Sequence, residues 1–321
     1  MDIQPGHIAV VTGAGTGIGR ELARQLSATG VHVSMCDVAE EAMAQTAALC
    51  RADAPAGTRV HTFRADVSRE PDVLAFRDAV IATHASACIQ LLFNNAGIGG
   101  GGSFVDGDRD LWERTFAVCW FGVYHAARAF LPLLVASSQG CIVNVSSVNG
   151  FWASLGPATA HTAYSSAKFA VKGFTEALIT DLRLCAPHVS CALVMPGHIG
   201  TEISMNSLNA VAWTAERLAT VRRHLARGGV PVAGLSDEVI RQLMHKRALD
   251  FRDQAPTRAD QAAAVILDGV RAGRWRILVG DDAEFLDRRV REDPEGAYEA
   301  QFAQALADAK ARASAGADRP T

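Results

Sequence analysis

The chain reads as an α/β protein, a doubly wound three-layer sandwich with helices on both faces of a mostly parallel, about seven-stranded sheet. Three observations predict it. Short β-branched runs alternate with longer helical stretches over the first 200 residues. The runs are apolar nearly throughout, as parallel strands covered on both faces must be. A glycine-rich turn joins the first run to the first helical stretch.

Taken in order, the expected strands are Ile8–Thr12, Val31–Cys36, Arg59–Phe63, Ile89–Phe93, Cys141–Val145 and Val189–Val194, with a seventh at Trp275–Val279. Helical patterns fill the gaps at Gly19–Ala28, Glu40–Cys50 and Pro71–Thr83, and another helix starts near Thr257. Residues 202–256 break the rhythm with an Arg-rich helical insertion, long for a connection within a sheet. Residues 1–280 therefore form the main domain. Asp281–Arg291 and Pro294–Arg312 read as surface helices of an extension, 281–321, ending in a frayed tail at Ala313–Thr321.

Of the 321 residues, 49% are hydrophobic and 20% charged, with 28 Gly against 11 Pro. That excludes a disordered or collagen-like chain. A formal charge of −3 makes nucleic acid a poor partner. The seven cysteines are scattered and form no Cys-x-x-Cys pair, so neither a disulfide framework nor a bound metal is expected. No run approaches 18 apolar residues, and the N-terminus lacks the basic start of a signal peptide. The expectation is a cytoplasmic protein with no membrane attachment.

The first strand runs into Thr12-Gly13-Ala14-Gly15-Thr16-Gly17-Ile18-Gly19, and a helix follows at once. Glycines let the backbone turn tightly and approach a pyrophosphate, and the helix N-terminus offers its free N–H groups to the charge. Asp37 ends the second strand, 18 residues beyond Gly19. A carboxylate there accepts hydrogen bonds from both adenosine ribose hydroxyls and repels a 2′-phosphate. None of Ala14, Gly15 and Thr16 is basic, so NAD is expected rather than NADP.

The Thr-Gly-x-x-x-Gly-x-Gly spacing resembles the short-chain dehydrogenase/reductase family in its single-domain, Rossmann-type form. Further matches follow in order: Asp66-Val67, Asn94-Asn95-Ala96-Gly97, Asn144-Val145-Ser146-Ser147, Tyr164-Ser165-Ser166-Ala167-Lys168 and Pro196-Gly197-His198-Ile199-Gly200-Thr201. The resemblance covers about residues 5–280. It implies that Gly13, Thr16, Gly17, Ile18, Gly19 and Asp37 bind the cofactor, that Asp66 and Val67 contact adenine, and that Asn95 lies near the adenosine ribose. It also implies that Ile199 and Thr201 hold the nicotinamide carboxamide. A homodimer or homotetramer through two long helices, near Asp108–Ala136 and Ala163–Cys185, is implied as well.

Tyr164 and Lys168 are four apart and share a face if their segment is helical. Hydride transfer from a secondary alcohol needs a base for the hydroxyl proton. A tyrosine of ordinary pKa near 10 is a poor one at neutral pH. A nearby ammonium and the positive nicotinamide ring favour the phenolate. The catalytic set is thus Ser147, Tyr164 and Lys168. Tyr164 is the acid/base, and Lys168 lowers its pKa and hydrogen-bonds the nicotinamide ribose. The resemblance implies a catalytic serine before x-x-Gly, which selects Ser147 over Ser146, and its hydroxyl would stabilise charge on the substrate oxygen.

Two departures stand out. The gap from Ser147 to Tyr164 is about four residues longer than usual in the family, with the excess at Gly156-Pro157-Ala158-Thr159-Ala160-His161. Cys119 stands where the family carries an asparagine that anchors a water beside the lysine, and a thiol cannot reproduce an amide's hydrogen bonds.

On the substrate side, Phe151, Trp152, Leu155, His198 and Ile203–Trp213, with Met205 and Leu208, suggest an apolar pocket for a hydrophobic alcohol or ketone. His161 and His198 read as loop histidines that could add polar contacts. Arg217, Arg222, Arg223 and Arg227 read as a solvated helix face, with an anchor for an anionic substrate group as the alternative. Two functions compete: an NAD-dependent alcohol dehydrogenase or ketone reductase, and a non-catalytic NAD-binding regulator or interaction protein of the same fold.

Overall fold

The computed structural model describes residues 1–156, 159–302 and 304–306. Its strands are β1 (Ile8–Thr12), β2 (His32–Asp37), β3 (Val60–Arg64), β4 (Leu91–Asn94), β5 (Gly140–Val145), β6 (Val189–Pro196), β7 (Ile199–Gly200), β8 (Thr257–Arg258) and β9 (Arg276–Val279). The α-helices are α1 (Gly17–Ala28), α2 (Glu40–Asp53), α3 (Glu70–His84), α4 (Arg109–Phe116), α5 (Gly122–Val135) and α6 (Thr162–Cys185). They continue with α7 (Ile203–Asn209), α8 (Ala215–Arg227), α9 (Asp237–Asp253), α10 (Ala259–Arg271) and α11 (Asp281–Glu292). Seven strands form one parallel sheet in the order β3-β2-β1-β4-β5-β6-β9. The chain order reverses between β1 and β4, and the crevice beyond their carboxyl ends is where open α/β sheets bind ligands.

Period-two alternation sends successive strand residues to opposite cores. Ala9 and Val11 of β1 join Leu22 and Leu26 of α1 and Ile266 of α10 on one face. Ile8 and Val10 join Phe76 of α3, Phe130 of α5 and Leu182 of α6 on the other. With both faces covered, β1, β4 and β5 are buried along their whole length.

Three features differ from the expectation. Residues Ile199–Gly200 and Thr257–Arg258 pair as a second, two-stranded parallel sheet too short to register as strands in the sequence. Between α4 and α5 one turn, Ala117–Phe121, widens to π geometry, with Gly122 N–H bonded to Ala117 O. Finally, the C-terminal extension is not only surface. α11 buries Leu286 and Val290, which join Ala297 of a 3-10 turn (Gly296–Tyr298) and Phe302 in a small core around Trp152. Residues 300–302 and 304–306 are helical as expected of Pro294–Arg312, whereas residue 303, residues 307–321 and, in the long loop, Pro157 and Ala158 lie outside the described residues.

By length and composition Arg109–Val135 could cross a membrane. Its apolar side chains Val118, Val123, Ala126, Phe130 and Leu134 are instead buried inside the protein. The 202–256 insertion builds a satellite core of Leu218, Leu225 and Ile240, packed by Trp213 and Val221.

Candidate active site

The glycine turn lies at the carboxyl end of β1, where it is held from β4. Thr12 Oγ1 accepts from the backbone N–H groups of Asn95 and Ala96 at 3.0 and 3.1 Å. Asn95 Nδ2 donates to the carbonyls of Thr12 and Gly13 at 3.1 and 3.0 Å. Asn95, expected near the ribose, thus fastens the turn itself. Gly13 and Gly17 adopt φ of +66° and +57°, which L-residues with side chains rarely take. A Cβ on Gly13 would lie 2.6 Å from Ala96 Cα, and one on Gly17 would lie 3.0 Å from Thr201 Cβ.

α1 therefore begins against Thr201 with no side-chain cap from Thr16 and no acid in its first turn. Uncapped N–H groups at a helix N-terminus form a natural anion site. Ile18 and Gly19 sit in that first turn, Ile18 against the core and Gly19 buried. Asp37 at the end of β2 accepts from Gly15 N at 2.9 Å and Ala39 N at 3.0 Å. These residues fit a dinucleotide: a turn of glycines free of side chains, a helix start without a side-chain cap and a carboxylate at the neighbouring strand tip.

Asp66 and Val67 follow β3. Asp66 accepts from Ser68 N and Oγ at 3.0 and 2.7 Å and pairs with Arg114 at 2.8 Å. Burial opposes its charge, but Ser68 and Arg114 outweigh that and hold the carboxyl below the usual carboxylate range. Val67 is buried against Gly122 of α5.

The proton-handling residues come from β5 and α6. Ser147 follows β5 and caps the 3-10 turn Val148–Gly150, its Oγ accepting from Asn149 N at 3.1 Å. Ser146 is committed elsewhere, its hydroxyl donating to Lys168 O at 2.7 Å. On α6, Lys168 Nζ lies 5.4 Å from the centroid of the Tyr164 ring and donates to Val145 O at 2.8 Å. Burial raises the Tyr164 phenol above its ordinary value, against an opposing hydrogen bond from Ser147. Burial also lowers the Lys168 ammonium. Without a cofactor, the lysine does not produce the low tyrosine pKa that the sequence suggests, because desolvation of the phenolate is the larger effect.

Cys119 lies in the π turn, fully buried, its thiol donating to Ile98 O at 3.2 Å. Burial raises its pKa and keeps it a thiol. A Cβ on Gly97 would sit between Lys168 Nζ at 3.5 Å and Cys119 Sγ at 3.7 Å, so the thiol does face the lysine region.

Several substrate-side expectations change. Trp152 is buried against the C-terminal extension, its indole donating to Ala297 O at 2.8 Å. The His198 ring donates to Phe251 O at 2.6 Å and packs on the Phe251 ring at 4.3 Å, so it is spent on α9. Arg217 is buried rather than solvated; it donates to the carbonyls of Leu208, Val211 and Ala212 and stacks on Trp213. Arg222 pairs with Asp237 and Arg227 with Asp106, while Arg223 reaches Thr220. Leu155, Met205 and Leu208 keep exposed or half-exposed positions. α7 spans the crevice, with Asn206 Nδ2 donating to Thr16 Oγ1 at 3.2 Å and Gly99 N donating to Ser207 Oγ at 2.7 Å.

His161, read from the sequence as a loop histidine that could add polar contacts, lies against the proton-handling tyrosine instead. The His161 ring stacks on the Tyr164 ring, centroids 4.7 Å apart, and burial lowers its pKa to about 4. Its place three residues before Tyr164 was the only available signal.

The family model described as short chain dehydrogenase matches residues 7–212. SadH of Mycobacterium tuberculosis, named as an oxidoreductase, is 34% identical over 282 residues, 88% of this chain and 89% of its own. A short-chain dehydrogenase/reductase from Burkholderia phymatum, solved in complex with NAD, is 31% identical with a TM-score of 0.73, covering 92% of this chain and 96% of that one. A metagenomic short-chain oxidoreductase solved with NADP is 27% identical with a TM-score of 0.53, covering 74% and 95%. The seven-stranded parallel sheet with flanking helices agrees with these similarities, and the chain belongs to the short-chain dehydrogenase family of oxidoreductases.

Proposed function

We propose that the protein is an NAD(H)-dependent oxidoreductase interconverting a hydrophobic secondary alcohol and its ketone. The observation that carries this is Tyr164 beside Ser147, with the Lys168 ammonium under its ring, at the sheet edge that holds the glycine turn. When bound, the nicotinamide ring takes up or gives back the hydride. In oxidation Tyr164 takes the hydroxyl proton through its phenolic oxygen, and Ser147 Oγ hydrogen-bonds the substrate oxygen. In reduction the same proton returns. Lys168 holds the nicotinamide ribose and keeps a positive charge near the phenolate. Beside an oxidised, positively charged nicotinamide, Tyr164 would gain the stabilisation of its phenolate that burial withholds in the free protein.

The two solved relatives carry different nucleotides. The choice of NAD rests on Asp37, whose carboxylate repels a 2′-phosphate. A homodimer or homotetramer fits the half-exposed Phe121, Tyr124 and Phe169 on α6 and the α4–α5 run. The test is an absorbance assay of NAD(H) and NADP(H), side by side, over apolar secondary alcohols and ketones. Turnover with NAD(H) supports the reading, and a clear preference for NADP(H) overturns its cofactor half.

A non-catalytic nucleotide-binding protein is the competing reading. Cys119 favours it, since its thiol is spent on Ile98 O and supplies no amide beside Lys168. Cys119→Asn separates the two: turnover that appears only in the variant supports the non-catalytic reading of the natural chain.

A further inference from the structure

We propose that Asp282, on the C-terminal helix α11, is a positioning residue for the nicotinamide half of the dinucleotide. It acts by holding the loop that leads into Ile199 and Thr201. The inference rests on the reading of Ile199–Thr201 as the nicotinamide loop.

That loop has little structure of its own. It leaves the main sheet at Pro196, and its only ladder is the two-residue pairing of β7 with β8. So short a ladder is marginal alone, yet Thr201 must stay in place against Gly17 at the opening of α1. Gly197 N donates to Val279 O at 2.9 Å, and the His198 side chain is held by Phe251. The central contact comes from Asp282, whose Oδ2 accepts from His198 N at 2.7 Å.

The rest of the carboxylate is placed at a cost. Asp282 Oδ1 is buried with no hydrogen-bond partner among the described residues. It fills space that two glycines leave open, since a Cβ on Gly197 would come within 2.3 Å of it and one on Gly280 within 2.6 Å. A buried oxygen without a partner is destabilising, so fold stability alone is a poor account of it. Nor is Asp282 needed as an acid for the start of α11, because Asp281 and Glu284 share that first turn. The arrangement makes sense if the carboxylate fixes the backbone at His198, three residues before Thr201.

The experiment is a binding split in the full chain. NADH and ADP-ribose, which lacks the nicotinamide, are titrated into the natural protein, Asp282→Ala, Asp282→Asn and Thr201→Ala, with thermal unfolding as the control for folding. Asp282→Ala is expected to weaken NADH about tenfold, with ADP-ribose affinity changed by less than about twofold. Asp282→Asn keeps one acceptor oxygen and should recover most of the loss. If Asp282→Ala fails to fold, Gly197→Ala reads the same effect, because its Cβ displaces the carboxylate. Equal loss for both ligands overturns the proposal, since general loosening would do that. A split in Thr201→Ala alone overturns the role of Asp282 and leaves the nicotinamide-loop reading standing. No split in any variant removes both.

Discussion

At the residue scale the site is a contest between burial and charge. Tyr164 is raised by burial, and the Ser147 hydrogen bond opposes that rise without cancelling it. Tyr164→Phe removes the proton carrier but keeps the ring that stacks on His161. It should lower turnover by at least about a thousandfold, with NADH affinity within about threefold; steady-state kinetics beside a nucleotide titration measure both. Retained turnover would take Tyr164 out of its role. At the other end, Asp37→Ala should weaken NAD more than NADP, because it removes both the acceptor for ribose hydroxyls and the repulsion of a 2′-phosphate. An unchanged NAD/NADP ratio would sink the cofactor assignment.

At the element scale, the C-terminal extension braces two loops that border the candidate site. Trp152 follows the Ser147 turn and is enclosed by Leu286, Val290, Ala297 and Phe302, while Asp282 reaches the other loop at His198. Trp152→Ala should cost about 3–5 kcal/mol, visible as a lower urea midpoint. It should also free the extension for proteolysis before the sheet unfolds. A variant with unchanged midpoint and unchanged protease resistance would show that the small core contributes nothing. The π turn is the second element-scale finding. It places Cys119 Sγ against Ile98 O and toward the Lys168 region, where an uninterrupted helix would present a different side chain.

At the scale of the molecule, acid should unfold the protein through buried histidine. His84 is buried between α3 and the sheet, bonded through Nε2 to Ser34 Oγ at 2.9 Å and stacked near His32. Burial, helped by Arg59, His32 and His61, lowers its pKa to about 4. The unfolded chain takes up that proton near pH 6.5. Between those two values the unfolded state binds more protons, so stability falls as pH falls. The contribution is fully present above about pH 6.5 and gone near pH 4, a loss on the order of 3 kcal/mol. Urea midpoints at about pH 7.5 and 4.5 measure it, and His84→Gln should flatten the difference; an equally steep dependence in that variant would assign it elsewhere. Oligomerisation belongs to the same scale. The proposed homodimer or homotetramer predicts an oligomer in sedimentation for the natural chain and a monomer once Phe121 and Phe169 are replaced by Glu; a monomeric natural chain overturns the proposal, and an oligomer unchanged in the variant places the interface on another face.

The α/β class, the strand order's local units, the glycine turn, Asp37 and the Tyr164/Lys168 pair were all legible in the amino-acid sequence. Their signals are local: short runs apolar nearly throughout, a turn that only glycines can make, two side chains one helical turn apart. Strand ends moved by a residue or two, because hydrogen-bonded partners and not the apolar run decide where pairing stops. Tertiary structure alone decided what Trp152, His198, Arg217 and Asp282 do. Trp152 meets Ala297 across 145 positions of chain and His198 meets Asp282 across 84. At such separations no spacing rule links two residues, and a tryptophan or histidine in a loop reads alike whether it faces a substrate or a helix folded back from the far end. Only the path of the chain after β9 brings α11 to the loops after β5 and β6, and so turns a charged, Ala-rich ending into a brace for the residues that border the candidate active site.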